Sequence, residues 1–166
     1  MTTTAAPAVH LLCGLNGAGK TTLARELEAT LPAVRFSLDD WMLRLYPGLH
    51  YAAEEFGGRA ESCKLLIWDT AAQVLRAGTD VVLDWNQWSR ARRALWHGKA
   101  TAAGFDVVLH YLQTPLDTAL ERVRRRTLAE EPGSHALEDS GVRHLAAIFE
   151  EPGESEGLEI LRVSGN

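Results

Sequence analysis

The octapeptide Gly14-Leu-Asn-Gly-Ala-Gly-Lys20-Thr21 fits the spacing G-x-x-x-x-G-K-[ST], and its residue types suit the binding of phosphate. The glycines let the chain curl so that successive backbone N–H groups turn inward onto phosphate oxygens, and a helix starting at the end of the loop adds a positive dipole. Lys20 would then reach the β- and γ-phosphates of a nucleoside triphosphate, with the Thr21 hydroxyl placed on Mg²⁺. The predicted nucleotide contacts are Asn16, Gly17, Ala18, Gly19, Lys20, Thr21 and Thr22. Three acids, Asp39, Asp40 and Asp84, follow short apolar runs, and the cluster Arg122-Val-Arg124-Arg125-Arg126 ends an amphipathic segment. Phosphoryl transfer needs this combination: a carboxylate near the acceptor hydroxyl, an acid that holds metal, and cations over the developing charge.

These side chains can meet only if a fold gathers them. Ala8–Cys13 is an apolar run ending at glycine, and Lys20–Leu31 carries apolar residues 23, 24, 27 and 31 at helical spacing. The glycine-rich loop therefore lies between a strand and a helix, the context its motif requires. Val34–Leu38 predicts a second strand; Asp39-Asp40 suits the N-cap of a helix running to about Leu45, before Pro47-Gly48 breaks it. Residues 52–77 predict a long helix, weakened at Gly57-Gly58 and stopped by Gly78. Asp80–Asp84 is a buried-strand pattern, Ser89–Ala103 a helix, Phe105–Leu112 a strand and Pro115–Arg126 a helix with proline at its start. Thr127–Gly141, rich in Glu, Pro, Gly and Ser, reads as a loop and a candidate lid over phosphates; Val142–Phe149 is a short helix and Leu158–Val163 a last strand. Strands alternating with helices predict an α/β, three-layer α/β/α sandwich on a parallel sheet, with ligands at the carboxyl ends of its strands. The loop and all three acids fall on that edge. Arg122 and Arg126, one helical turn apart, share a face and are expected in the site, whereas Arg124 and Arg125 are expected in solvent.

The 166 residues suit a single domain over 8–166, after a Thr/Ala-rich stretch, 1–7, expected to be a frayed tail. A net charge of -5 and a pI of about 5.7 argue against a protein that coats nucleic acid or an anionic membrane. The surplus of acid is local, however: residues 127–166 hold nine acids and two bases, so that segment carries -7 and the rest +2. Cys13 and Cys63 lie in apolar stretches and read as buried thiols, not a disulfide framework. No apolar run stands near the start, which predicts neither a signal peptide nor a spanning helix, and hence a cytoplasmic protein with no membrane partner.

Trp41, Tyr46, Tyr51, Phe56, Trp85 and Trp88 crowd the two acidic strand ends. They could line an acceptor pocket, although core packing competes for some of them. The predicted acceptor contacts are Asp40, Trp41, Arg44, Trp85, Asn86 and Trp88. Arg90, Arg92, Arg93 and Lys99 read as a solvated basic face.

Leu11 through Thr22, Ser37-Leu-Asp39-Asp40, Asp84-Trp-Asn86 with Ser89-Arg-Ala-Arg92-Arg93, and Pro115 ahead of Arg122 and Arg126 together resemble the P-loop kinases related to polynucleotide 5′-kinase, zeta toxin and chloramphenicol phosphotransferase. The resemblance covers about residues 8–126. It implies a five-stranded parallel sheet of order 2-3-1-4-5, ATP with Mg²⁺, Asp39 as general base and Arg126 as the lid arginine. The sequence departs where polynucleotide kinases carry an arginine three residues after the base: that position is Met42, and the nearest cation is Arg44. With the acidic charge, this speaks against a nucleic acid acceptor.

The expectation is an ATP-dependent phosphotransferase acting on a hydroxyl of a small molecule, an antibiotic or other natural product being a candidate. Lys20 and Thr21 would hold nucleotide and Mg²⁺, Asp39 would accept the hydroxyl proton and stand as a further metal candidate, Asp84 would position metal or acceptor, and Arg122 and Arg126 would stabilise the phosphoryl. Asp39 against Asp40 as base, ATP against GTP, and monomer against homodimer stay open. The alternatives are a nucleic acid 5′-hydroxyl kinase, motivated by the basic stretch at 90–99, and a nucleotide-gated sequestration protein, suggested by resemblance to the ATP-binding tunicamycin-resistance proteins.

Overall fold

Parallel strands and crossover helices alternate along the whole chain. The computed structural model describes residues 6–130 and 137–165. In it, β1 (Ala8–Cys13) leads through the glycine-rich loop into α1 (Lys20–Thr30), followed by β2 (Ala33–Ser37), α2 (Leu38–Leu45), α3 (Phe56–Arg76) and β3 (Asp80–Asn86). Then come α4 (Arg90–Ala102), β4 (Asp106–Gln113), α5 (Leu116–Leu128), α6 (Asp139–Ile148), a 3₁₀ turn at Glu154–Glu156 and β5 (Glu159–Ser164). Every strand pair is parallel and the order is β2-β3-β1-β4-β5, the order that the resemblance implies. Residues 1–5 of the expected tail and 131–136 of the expected lid lie outside the described residues.

Burial explains the arrangement. Val9, Leu11, Leu12 and Cys13 of β1 have no solvent exposure, as a central parallel strand covered on both faces requires. Leu11, Leu83 and Leu109 meet Ile67 and Ala71 of α3 and Trp96 and Ala100 of α4 on one face. On the other, Leu12 and Val82 pack on Ala24 of α1; Leu120 and Val123 of α5 form a separate cluster with Val142 of α6. β1 connects through α1 to β2 while its neighbour β3 connects through α4 to β4 in the opposite direction, which opens a crevice between the carboxyl ends of β1 and β3. No helix among the described residues is long and apolar enough to cross a membrane.

The helix expected over Val142–Phe149 starts earlier, at Asp139, inside the expected loop, and three further differences have a local reason. The long helix begins at Phe56, not 52, so Gly57-Gly58 fall in its first turn, where N–H groups have no intrahelical partner to lose. The cap of α2 is Ser37, whose hydroxyl accepts from the Asp40 N–H at 3.2 Å; Asp39 and Asp40 occupy the first turn, which also favours acids. Strand β3 continues past Asp84 to Asn86, and its register with β1 slips: Leu11 faces Leu83 but Leu12 faces Asn86. Asp84 and Trp85 form the resulting bulge, a device that re-aims side chains at strand ends.

Candidate active site

The glycine-rich loop is held in a shape that only glycine permits at its tightest point. Gly17 has φ +82°, and a Cβ there would stand 2.4 Å from the Ala119 carbonyl oxygen and 3.0 Å from Val123 Cγ2 of α5. Gly19, at φ +98°, is the N-cap of α1. Lys20 folds back on the loop, its Nζ donating to the carbonyls of Gly14 (3.1 Å) and Leu15 (2.7 Å). Burial pushes its pKa down to about 8, against the pull of nearby negative groups that include Asp84 and Asp39. The ammonium is thus placed on polar atoms of the loop, within the field of two acids.

The bulge in β3 delivers Asp84 to this loop. Only 8% exposed, Asp84 accepts from the Thr21 hydroxyl through Oδ1 at 3.4 Å and from Arg35 Nη1 through Oδ2 at 2.6 Å. Burial raises the Asp84 carboxyl above its ordinary pKa, while the Arg35 guanidinium opposes that rise. A second arm of Arg35, Nη2, reaches Asp40 at 3.3 Å. Sequence reasoning missed Arg35. A signal was present, since a lone arginine interrupts the apolar run of β2 and shares a face with Ser37 by the two-residue period of a strand.

Asp39 lines a cleft of about 520 Å³ together with Gly17, Ala18, Gly19, Thr21 and Thr22 of the loop and α1. Across it stand Arg122, Arg125 and Arg126 of α5, with Val163, Ser164 and Gly165 at the end of β5. Arg122 and Arg126 are half-buried there, and Arg125, exposed as expected, also stands at the cleft. Arg124 is exposed and grips Asp139 of α6 with a fork of hydrogen bonds. Asn16 belongs to the loop but not to the lining of this cleft. The end of β5 was expected as a strand but not as part of the site, because Val163, Ser164 and Gly165 carry no residue signature.

The aromatic residues divide. Trp85, expected in the acceptor pocket, is a core residue: it is 6% exposed and packs edge-on against Trp96 at 5.1 Å, since the bulge leaves its ring on the α4 side of the sheet. Trp41 packs on the core near Phe36 at 6.4 Å. Trp88 is half-buried beneath the Arg92 guanidinium, 5.3 Å away. The Asn86 amide is enclosed with no hydrogen-bond partner among the described residues, and so are the Gln87 amide and Trp85 Nε1. Arg44 is exposed on the last turn of α2, and Met42 is 1% exposed.

Arg93 also corrects an expectation. Placed in a solvated basic face by its neighbours in sequence, it is fully buried and forks onto the Glu156 carboxylate at 2.7 and 2.8 Å. Its Nη1 donates to the carbonyls of Gln87 (3.0 Å) and Glu150 (2.9 Å). The same nitrogen lies 3.9 Å from Cys13 Sγ, where burial pushes the thiol up to about 11; Cys13 and Cys63 are both free and buried, as expected.

Comparisons with known proteins agree with this architecture. Over 93 residues the chain is 34% identical to a guanylate kinase of Desulfitobacterium hafniense (strain Y51), a match covering 45% of this chain and 46% of that enzyme. The chain thus spans about half the length of the curated relative it matches. Among solved structures, a presumed kinase from Chloroflexus aurantiacus J-10-fl superposes with a TM-score of 0.69 at 23% identity, covering 96% of this chain and 88% of that one. Chaetomium thermophilum Kti12, solved with ADP-AlF3, also gives 0.69, at 20% identity over 93% and 88% of the two chains. These likenesses establish the fold. Residues 9–152 match a family described as an AAA domain, and the chain belongs to that family, on a kinase-like P-loop fold.

Proposed function

We propose that this protein is an ATP-dependent phosphotransferase that moves the γ-phosphoryl group to a hydroxyl of a small molecule. One observation carries the reading: a single cleft gathers the phosphate loop, Thr21, Asp39 and the arginines of α5, with Asp84 on the Thr21 hydroxyl. The Thr21 hydroxyl and Asp84 carboxylate fit Mg²⁺, because both are hard oxygen donors and stand side by side. When bound, that ion would neutralise charge on the phosphates. Lys20 and the loop N–H groups hold the β- and γ-phosphates, and Arg122 and Arg126 lie over the group in transit. Asp39 accepts the hydroxyl proton as the acceptor oxygen attacks phosphorus and the bond to the bridging oxygen breaks. The products are a phosphate ester, ADP and one proton. Asp39 lines the cleft and Asp40 does not, which favours Asp39 as the base.

Two features favour a small acceptor over a nucleic acid. Met42 is buried, so the position where polynucleotide kinases carry a phosphate-gripping arginine offers no cation. Arg93 is consumed inside the protein, which weakens the basic stretch that motivated the nucleic acid reading. ATP follows from the resemblance. An antibiotic or natural product remains a candidate acceptor, and the guanylate kinase likeness adds a nucleoside monophosphate as the competing one. Asp39→Asn tests the assignment. It keeps nucleotide affinity, measured by calorimetry, and lowers transfer by about 10²–10⁴-fold; a variant that transfers as fast as wild type reassigns the base.

A further inference from the structure

None of the steps above uses Arg35, yet it joins both faces of the acidic edge. Its guanidinium, on a side chain 12% exposed, lies 2.6 Å from Asp84 Oδ2, 3.3 Å from Asp40 Oδ2 and, through Nε, 3.7 Å from Glu28 Oε2 of α1. Asp84 therefore has one oxygen committed to a permanent cation and only Oδ1 turned toward Thr21. We propose that Arg35 is a built-in counter-ion, a positioning residue that makes divalent-metal binding at Thr21 and Asp84 conditional on nucleotide. The proposal rests on the reading of those two residues as the pair that faces Mg²⁺.

The physics runs through charge. A hydrated divalent ion arriving alone meets, at Asp84, a carboxylate in contact with Arg35 and in the field of Lys20, so its pull on the ion is weakened. A bound triphosphate restores the negative charge, and the ion then enters between phosphate and Oδ1. Because coupling is reciprocal, metal and nucleotide must strengthen each other's binding by the same factor. Arginine suits this role because its charge does not titrate and its planar fork spans two carboxylates at once.

The test uses the full chain, with Mn²⁺ as the probe and free Mn²⁺ followed by electron paramagnetic resonance, with and without ADP. Wild type binds Mn²⁺ at least about tenfold more tightly with ADP than without it. Arg35→Met binds Mn²⁺ alone about tenfold more tightly than wild type, which narrows the ADP effect. Arg35→Lys, which keeps the charge, stays near wild type, and adding Asp84→Asn to Arg35→Met abolishes the gain. The proposal is overturned by an Arg35→Met variant that binds Mn²⁺ with ADP but shows no gain for the ion alone. A wild type whose Mn²⁺ affinity ignores ADP overturns it too, and this arm decides even if the variant does not fold. A wild type that binds neither ADP nor its Mn²⁺ complex overturns the nucleotide reading itself, and the proposal with it.

Discussion

Gly17 and Gly98 show how two residues of one type answer to different physics. At Gly17 the backbone is left-handed and α5 crosses so closely that a Cβ would stand 2.4 Å from the Ala119 carbonyl. Gly17→Ala must therefore push the loop off α5, and we expect nucleotide affinity to fall at least about tenfold, with stability lowered by about 1–3 kcal/mol. Gly98 lies inside α4 with nothing within 4 Å of the same added atom, so Gly98→Ala should instead stabilise by about 0.5–1 kcal/mol and leave binding unchanged. Calorimetry and urea melts on both variants check the pair; equal effects would contradict the assignment of the loop. Gly17 was legible from the motif alone, because spacing and glycine content carry the chemistry of a phosphate loop. Arg35 was not, because its meaning depends on a carboxylate 49 residues away that only the fold brings to 2.6 Å.

Among the elements, the strands did most to place the site. The run Ala8–Cys13 and the helix after the loop were readable from periodicity, and the acids at the ends of β2 and β3 followed from the rule that α/β sheets bind ligands at their carboxyl edge. The bulge in β3 was not readable, since a register slip leaves no mark on an apolar run, and it decides that Asp84 meets Thr21 while Trp85 enters the core. Arg93 failed for a related reason: it was grouped with Arg90, Arg92 and Lys99 as one solvated face, and its partner Glu156 lies 63 residues on. The sheet also holds a polar chain that no motif announced. Asp80 Oδ2 faces His10 Nε2 at 3.1 Å, and His10 Nδ1 faces His110 Nε2 at 2.9 Å. While both rings are neutral and Asp80 accepts, His10 donates from Nε2 and accepts at Nδ1, which assigns the proton of His110 to Nε2. Burial first, and the charge of His10 second, push the His110 pKa down to about 4. The unfolded chain binds the extra proton between its ordinary value, about 6.5, and 4, so stability is full above 6.5 and is lost as pH falls through that window, by about 3 kcal/mol. Urea midpoints at pH 5 and 7.5 measure this; His110→Asn should flatten the difference, and an unchanged slope would exclude His110 as its source.

For the whole molecule, net charge is a poor guide to the ligand. The surplus of acid sits in residues 127–166, while the cleft sets three arginines of α5 opposite the phosphate loop, so an acidic chain presents a cationic face to a polyanion. The fold class was legible in the alternation of strand and helix, which leaves few topologies, whereas the strand order came only from the family resemblance. The identity of the acceptor was not, because pocket shape emerges from packing that a one-dimensional pattern does not specify; Trp85, read as pocket and found in core, is the instance. The central claim concerns where the phosphoryl group goes. The decisive measurement incubates the protein with γ-labelled ATP, Mg²⁺ and a panel of hydroxyl compounds, nucleoside monophosphates and a 5′-hydroxyl oligonucleotide, then resolves the labelled species. The account predicts label in a small alcohol as a phosphate ester, with one ADP formed for each ester. Label found only as inorganic phosphate, only in the oligonucleotide, or still on ATP after binding would contradict it.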